Sequence, residues 1–384
     1  MYRVSNKNIS LVAFLYFMLR FVDLFLPVSK IYILLFTFVE AIPFLWFILD
    51  RQKLSLKAFY VISMGMLFVI FSMIVAEEVY ISEMMFTILG IWFGYHLSEQ
   101  GMDRHLAFRL FLIYLVVIVI RFAMTGSGNQ VFITSSRNTI SAVLILASVL
   151  YYSSFAEGES IPLLPATVTF LMSCIAQGRG GIISSAVLLL GVVLYDCLCA
   201  HTMSFKKVLV LAVFIAVVYL VYTRCYDLIF KQAMVRLFSE NLMDNERIKY
   251  GNEYIAFMRT SWKYFLFGVS KNTLPSIMYL GGNFHNSYLG LHSVSGIGGC
   301  IIIFVLVLKS VVRSLRNRNF IRMLLLVVIL FRMLTDILCF VGLYDPLFYY
   351  VIFLCLKKKQ RYSRGGDGGI KQNASADIVS KPVS

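Results

Sequence analysis

Charged residues are scarce in this sequence, and their scarcity excludes most soluble folds. Only 14% of the 384 residues are Asp, Glu, Lys or Arg, while 59% are hydrophobic and the mean hydropathy is +0.80. A soluble domain has roughly a quarter charged residues and under half apolar ones. A membrane-spanning helix needs about 20 apolar residues, and several such runs are present. We therefore expect an all-α polytopic protein that crosses a bilayer many times.

The sequence also lacks the cysteine patterns of disulfide-rich or metal-binding proteins. Most of the seven cysteines lie inside apolar runs, where cysteine behaves as a small hydrophobic residue. Cys197 and Cys199 form a single C-x-C pair, which is a weak metal signal without a second pair. We expect no disulfide framework, no metal site and no cofactor. No cleavable signal peptide is evident, so the first apolar run is interpreted as a retained span.

The apolar runs predict about twelve transmembrane helices, with ten or eleven as alternatives because three runs are short or weak. Residues 1–223 would hold nine of them and residues 285–360 the last three, while the polar residues 361–384 predict a disordered cytoplasmic tail. The runs begin near Ile9, Ile31, Ala58, Met84, Leu106, Thr139, Ile161, Ile182, Val208, Asn286, Met323 and Leu347.

The formal net charge of +15 is distributed in a way that orients the chain rather than binding nucleic acid. Lys and Arg lie in short segments between apolar runs, at 51–57, 206–207, 309–322 and 357–361. Because positively charged loops stay on the cytoplasmic side, we expect both termini in the cytoplasm and no nucleic-acid partner.

One longer polar segment, residues 224–284, is predicted on the periplasmic side. Asp244 or Asn245 is suited to begin a helix there, and Gly268 to follow its end. The helix would lie on the outer membrane surface or over a cavity, or pack on neighbouring loops without a ligand role. Its apolar residues recur at helical spacing, at Ile248, Ile255, Met258, Trp262 and Phe265.

Arginines accumulate on this predicted outer side, although positive charge there opposes the topology. Arginine is preferred where phosphate or carboxylate is recognised by two parallel hydrogen bonds, so we expect an anion site, such as one for a lipid-linked diphosphate. The alternative for each arginine is an ion pair with a nearby carboxylate. The arginines are Arg121, Arg137, Arg179, Arg224, Arg236, Arg247 and Arg259.

Three short motifs begin spans on that side. Gln177-Gly178-Arg179-Gly180-Gly181 would let helix N-terminal amides approach an anion, although any tight turn also favours glycine. Arg137-Asn138 precedes an earlier span, and His285-Asn286 a later one. His285 has the pKa range suited to proton transfer, and its alternative role is a structural hydrogen bond.

Charged residues inside the predicted spans form two possible pairs along a helix. Arg20 and Asp23 are three residues apart, and Arg332 and Asp336 are four apart. We interpret both pairs as structural. Glu40 lies in the middle of a span without a local partner, and its role stays open.

The order of these motifs resembles that of one superfamily. Arg137-Asn138 and the glycine–arginine turn are followed by Arg247, Trp262 and Gly268, then by His285-Asn286-Ser287-Tyr288-Leu289 and Gly296-Ile297-Gly298-Gly299. This order resembles the O-antigen polymerase (Wzy) and O-antigen ligase superfamily of bacterial inner-membrane glycosyltransferases. The motifs cover residues 137–299, and the topology covers most of the chain. Val269-Ser270 after Gly268 departs from the Gly-x-Gly of the family.

The resemblance implies a metal-independent glycosyltransferase that acts on undecaprenyl-diphosphate-linked oligosaccharide at the periplasmic face. It implies that Arg179 and Arg247 bind the donor diphosphate and that His285 activates or positions the acceptor hydroxyl. The implied partners are the lipid bilayer and a chain-length regulator and flippase of the same pathway. The further substrate-binding residues would be Arg137, Asn138, Gly180, Gly181, Arg236, Trp262 and Asn286.

Three functions stay open, of which the resemblance covers the first two. A polymerase that adds glycan to a new lipid-linked repeat unit is our first expectation. A ligase that transfers the glycan to lipid A-core would use the same residues. A flippase or transporter of lipid-linked oligosaccharide would instead need charges along a path through the membrane.

Overall fold

The structure is a computed structural model. It describes residues 6–26, 81–133, 135–198, 245–275, 277, 284–340 and 344–357, with residues 63, 67, 70, 73 and 74 of a further helical stretch. The described part is helical and contains no strand. Its α-helices are α1 (Asn6–Asp23), α2 (Ile81–Gln100), α3 (Arg104–Thr125), α4 (Asn138–Ser153), α5 (Leu164–Ala176), α6 (Arg179–Leu198), α7 (Asn245–Arg259), α8 (Trp262–Phe267), α9 (Ser287–Asn317), α10 (Phe320–Met333) and α11 (Asp345–Leu356).

Three of the described helices are long and apolar enough to cross a membrane: α3, α6 and α9. The helices α4, α5 and α11 are apolar but shorter. Helix starts were predicted within a few residues where the chain is described. A total of twelve spans is not confirmed, because the runs near Ile31 and Val208 lie outside the described residues, as do Glu40, Arg224 and Arg236.

Successive helices α3 to α6 run in alternating directions, so the bundle has two distinct ends. The end of the bundle at which α4, α6 and α9 begin is called the rim below. The opposite end holds the ion pairs Arg104–Glu159, at 2.7 Å, and Lys357–Glu99, at 3.3 Å. The chain therefore returns to the rim after α5 and again after α10.

Helix α11 lies in the centre of the bundle although it has only twelve residues. Its side chains from Leu347 to Ile352 are at most 2% exposed. Glycine in α2 makes this burial possible, since a Cβ atom on Gly94 would lie 2.6 Å from the backbone nitrogen of Tyr350. A side chain at position 94 would therefore force the two helices apart.

The segment after residue 244 forms two helices where the sequence predicted one. The hydroxyl oxygen of Ser261 accepts a hydrogen bond from the Lys263 amide at 3.2 Å and begins α8. Because Ser261 caps a new helix, α7 ends at Arg259 and does not continue to Gly268. The apolar spacing of the sequence continues across Ser261 and so gives no sign of this N-cap. Tyr250 and Tyr254 of α7 belong to a small apolar cluster, against which Tyr264 of α8 and Leu289 of α9 also pack. The other buried members of this cluster are Val269, Leu274, Ile277 and Phe284.

Helix α9 is broken at Gly296, whose φ of 59° and ψ of −165° are not helical. The backbone of α8 fills the break: a Cβ atom on Gly296 would lie 2.7 Å from Cα of Phe267. Gly268, at φ 92°, also approaches α9 closely, at the carbonyl of Ser293. Only glycine fits a close backbone contact of this kind at positive φ.

Candidate functional site

The first turn of α6 packs directly on the first turn of α4 at the rim. A Cβ atom on Gly178 would lie 2.6 Å from Oδ1 of Asn138, and one on Gly181 would lie even closer to the side chain of Ser141. The Gly178 carbonyl accepts the Ile182 amide at 2.9 Å and so begins the helix. The glycines predicted to approach an anion therefore also bring two helix N-termini together.

The turn after α10 joins this pair. A Cβ atom on Gly180 would lie 2.6 Å from Cβ of Thr335. Arg332, 1% exposed, donates to the Thr335 hydroxyl at 2.7 Å and to the Asn138 carbonyl at 3.1 Å. A single buried guanidinium thus connects the end of α10 with the start of α4.

The start of α9 meets the same turn. Asn286 caps α9 by accepting from the amides of Tyr288 and Leu289, and its side-chain nitrogen donates to the Leu334 carbonyl at 3.3 Å. Ser287 donates to the carbonyl of Asp336 at 2.8 Å. Immediately before this cap, His285 has a φ of 50°, a left-handed conformation that is uncommon for residues other than glycine and is found often at functional sites.

Three helix N-termini therefore converge on residues 332–336. Each N-terminus carries about half a positive charge, and its first amides have no acceptor within the helix. Asn286 already caps α9, whereas no side chain caps α4. The start of α4 is thus better placed than that of α9 to donate to an anion.

The side chains around these three helix starts carry net positive charge. Arg137 and Arg179 are half-buried at the first turns of α4 and α6. The carboxylate of Asp336, 18% exposed, lies 3.5 Å from the Arg332 guanidinium, which confirms that predicted pair. The other predicted pair, Arg20 with Asp23, is also present, at 3.7 Å. Among the described residues of this cluster, three arginines and the helix ends outweigh one carboxylate, which favours an anion.

The remaining predicted site residues lie elsewhere or are not described. Arg247 lies on α7 without a described side chain, and Arg236 is outside the described residues. Trp262 begins α8 and is 78% exposed, with its ring 5.7 Å from that of Phe265. The motif residues of α4, α6 and α9 meet at the rim, and Trp262 lies on α8 instead.

Arg332 and Thr335 are rim residues that the sequence analysis did not assign to the site. An arginine inside an apolar run is a functional candidate by default, so the sequence does contain a signal that could have assigned Arg332 to the site. Its partner four residues away suggested a purely local role. No sequence pattern indicates that Thr335 meets Gly180, 155 positions earlier.

The described residues contain no group of three His, Cys, Asp or Glu side chains that would hold a metal ion. At the rim, the described side chains and backbone offer guanidinium groups, amides, hydroxyls, one imidazole and the carboxylate of Asp336. These groups bind anions and transfer protons.

Comparison of the chain with protein-family models and with curated proteins finds no match.

Proposed function

We propose that this protein is a membrane glycosyltransferase of the Wzy type, a polymerase of surface polysaccharide. It transfers a growing glycan from undecaprenyl diphosphate onto a new lipid-linked repeat unit. The observation that carries the proposal is the convergence on the 332–336 turn of the three helix starts at which Arg137, Arg179 and His285 lie. The proposal also includes a periplasmic rim and a cytoplasmic opposite end, supported by the basic residues of α9 from Lys309 to Arg316.

The reaction forms one bond and breaks one at the anomeric carbon. A hydroxyl oxygen of the acceptor sugar attacks that carbon, and the bond to the lipid diphosphate oxygen breaks. The diphosphate leaves with the electron pair, and the hydroxyl proton passes to His285 or to the departing phosphate. No metal is required in this scheme, since cationic side chains neutralise the charge of the leaving group.

The rim arginines would act mainly on the leaving group. Negative charge grows on the diphosphate as the bond breaks, and preorganised donors stabilise that charge more than the ground state. Arg179 and the amides of the first turn of α6 are the proposed donors, with Arg137 and Asn138 beside them. Arg332 would hold this arrangement in place without touching the substrate.

A polysaccharide gel tests the proposal. A strain that lacks the gene is complemented with wild type, His285→Ala or Arg179→Ala. His105→Ala and Arg109→Ala are matched controls, because both residues are exposed on the first two turns of α3 at the opposite end. We expect each rim variant to lose the polymer ladder and to retain a single repeat unit, while both controls restore the ladder.

Three other outcomes are decisive. Full-length polymer that remains on its lipid carrier would identify a ligase rather than a polymerase. A full ladder from either rim variant, at equal protein level in the membrane, would remove that residue from the catalytic site. Loss of the lipid-linked precursor from the outer leaflet would indicate a flippase.

A further inference from the structure

The outward surface of α8 and the end of α7 is unusually apolar for a helix outside the bundle core. Trp262 is 78% exposed and Leu266 is 41% exposed. Arg259 and Lys263, both exposed, lie beside them. A cavity of about 420 Å³ opens here, lined by Met258, Arg259, Thr260, Ser261, Trp262 and Phe265.

Hydrogen bonds fix the position of α8 along the length of α9. Nε2 of His292 lies 2.9 Å from the carbonyl oxygen of Phe265 and donates to it, because a carbonyl can only accept. The other ring nitrogen, Nδ1, then accepts from the hydroxyl of Tyr254 at 2.7 Å. Ser293 donates to the carbonyl of Val269 at 2.7 Å. Helix α8 is therefore fixed beside residues 292–296 of α9.

The position of α9 in a bilayer follows from its sequence. Its apolar stretch extends from Leu289 to Leu308, where Lys309 begins the basic end. These 20 residues span about 30 Å, the thickness of the hydrocarbon core. Side chains along this stretch are exposed to the surroundings of the bundle, among them Ile301, Phe304 and Leu308, which are 50–65% exposed.

Residues 292–296 lie three to seven positions inside the end of this stretch, or about 5–10 Å. That is the depth at which amphipathic helices lie in the boundary between head groups and acyl chains. Tryptophan is enriched at the same level because its ring is apolar and its N–H is polar. Arginine and lysine at this level reach the phosphate groups of lipids.

We infer that the Arg259–Leu266 surface binds anionic phospholipid at the membrane interface. Trp262 and Leu266 contact the upper acyl chains, and Arg259 and Lys263 bind the head-group phosphate at the mouth of the cavity. The inference does not depend on the glycosyltransferase proposal, because it rests on the depth, exposure and charge of α8. It assigns Trp262 to lipid instead of glycan.

The fluorescence of Trp262 tests the inference in the full-length protein reconstituted in nanodiscs. The other tryptophans are Trp46 and Trp92, so the difference between wild type and Trp262→Phe isolates the emission of Trp262. Phospholipids with bromine near the head group or near the chain end quench tryptophan at the corresponding depth. We expect quenching of Trp262 by the shallow bromine and little by the deep one.

Charge variants test the head-group preference. With brominated anionic lipid in a neutral background, Arg259→Gln or Lys263→Gln is each expected to lower the preference for anionic lipid by about fivefold. Arg109→Gln, an exposed cation on α3, is the matched control and should leave the preference unchanged.

Two results would overturn the inference. Emission from Trp262 that is quenched by aqueous acrylamide and not by bromolipid would place this surface in water, available to a glycan or a protein. Equal quenching by anionic and neutral bromolipid would exclude the anionic head group as the occupant.

Discussion

Replacement of Gly296 by alanine tests the contact that fixes α8 on α9. A non-glycine residue at φ 59° and ψ −165° costs about 1–3 kcal/mol in backbone strain. The added Cβ atom would lie 2.7 Å from Cα of Phe267 and 2.9 Å from the carbonyl carbon of Leu266. These are backbone atoms, which cannot rotate away as a side chain can. Helix α8 must therefore shift as a unit.

The shift would also break the hydrogen bonds that join α8 to α9. The bonds from His292 to Phe265 and from Ser293 to Val269 each contribute about 1 kcal/mol. Together with the strain, the expected loss for Gly296→Ala is about 3–5 kcal/mol.

Gly290 provides the matched control on the same helix. A Cβ atom there would meet nothing within 4 Å, so Gly290→Ala should be neutral or stabilise α9 by up to about 1 kcal/mol. The measurement is the apparent melting temperature in detergent, read from the monomer peak in size-exclusion chromatography after heating. Gly296→Ala should melt several degrees below wild type, and Gly290→Ala at or above it.

Gly268→Ala extends the test, because its Cβ atom would lie 2.6 Å from the Ser293 carbonyl in the same contact. The double variant with Gly296→Ala should lose less than the sum of the single losses, since either change already displaces α8. Equal melting temperatures for Gly296→Ala and Gly290→Ala would refute the reasoning.

Three further predictions concern buried and paired polar groups. Arg332→Met should lower stability by about 3 kcal/mol, since it leaves a carboxylate and a carbonyl without their donor; Arg332→Lys should lose less, and both are measured by apparent melting temperature. Tyr254→Phe should cost about 1 kcal/mol and increase protease cleavage between α7 and α8, because it removes the hydrogen bond to His292. Hydrogen bonding to Arg104 lowers the pKa of Glu159 below 4.5. A lowered pKa gives stability that is present above about pH 4.5 and is lost as the pH falls through the folded-state pKa. The stabilities of wild type and Glu159→Gln should therefore differ by under about 1 kcal/mol near neutrality. In acid the two stabilities should converge.

Helix positions were predictable because the apolar runs are long and their first residues carry local signals. Arg137-Asn138, Gly178–Gly181 and His285-Asn286 each precede a helix start, and each start lies where the sequence indicates. That these three motifs lie at the same end of the bundle was predictable as well, since spans that begin on one side of a bilayer have their first residues at the same membrane surface.

Contacts between distant positions were not predictable from local patterns. The turn containing Thr335 meets Gly180 because α10 packs on α6, and nothing in either segment specifies the other. The N-cap at Ser261 was concealed by apolar spacing that continues across it. The central position of α11 depends on the backbone contact at Gly94, which only the packed bundle reveals.

Binding of a prenyl diphosphate tests the central claim most directly. The affinity of purified wild type for a short prenyl diphosphate is compared with that of Arg179→Gln and of the opposite-end control Arg109→Gln. A charge-assisted hydrogen bond contributes about 1.5–3 kcal/mol, so Arg179→Gln should bind at least about tenfold more weakly. The control should bind as wild type does, and all three should bind the corresponding uncharged prenyl alcohol equally weakly. Unchanged diphosphate affinity in Arg179→Gln would contradict an anion site at the rim.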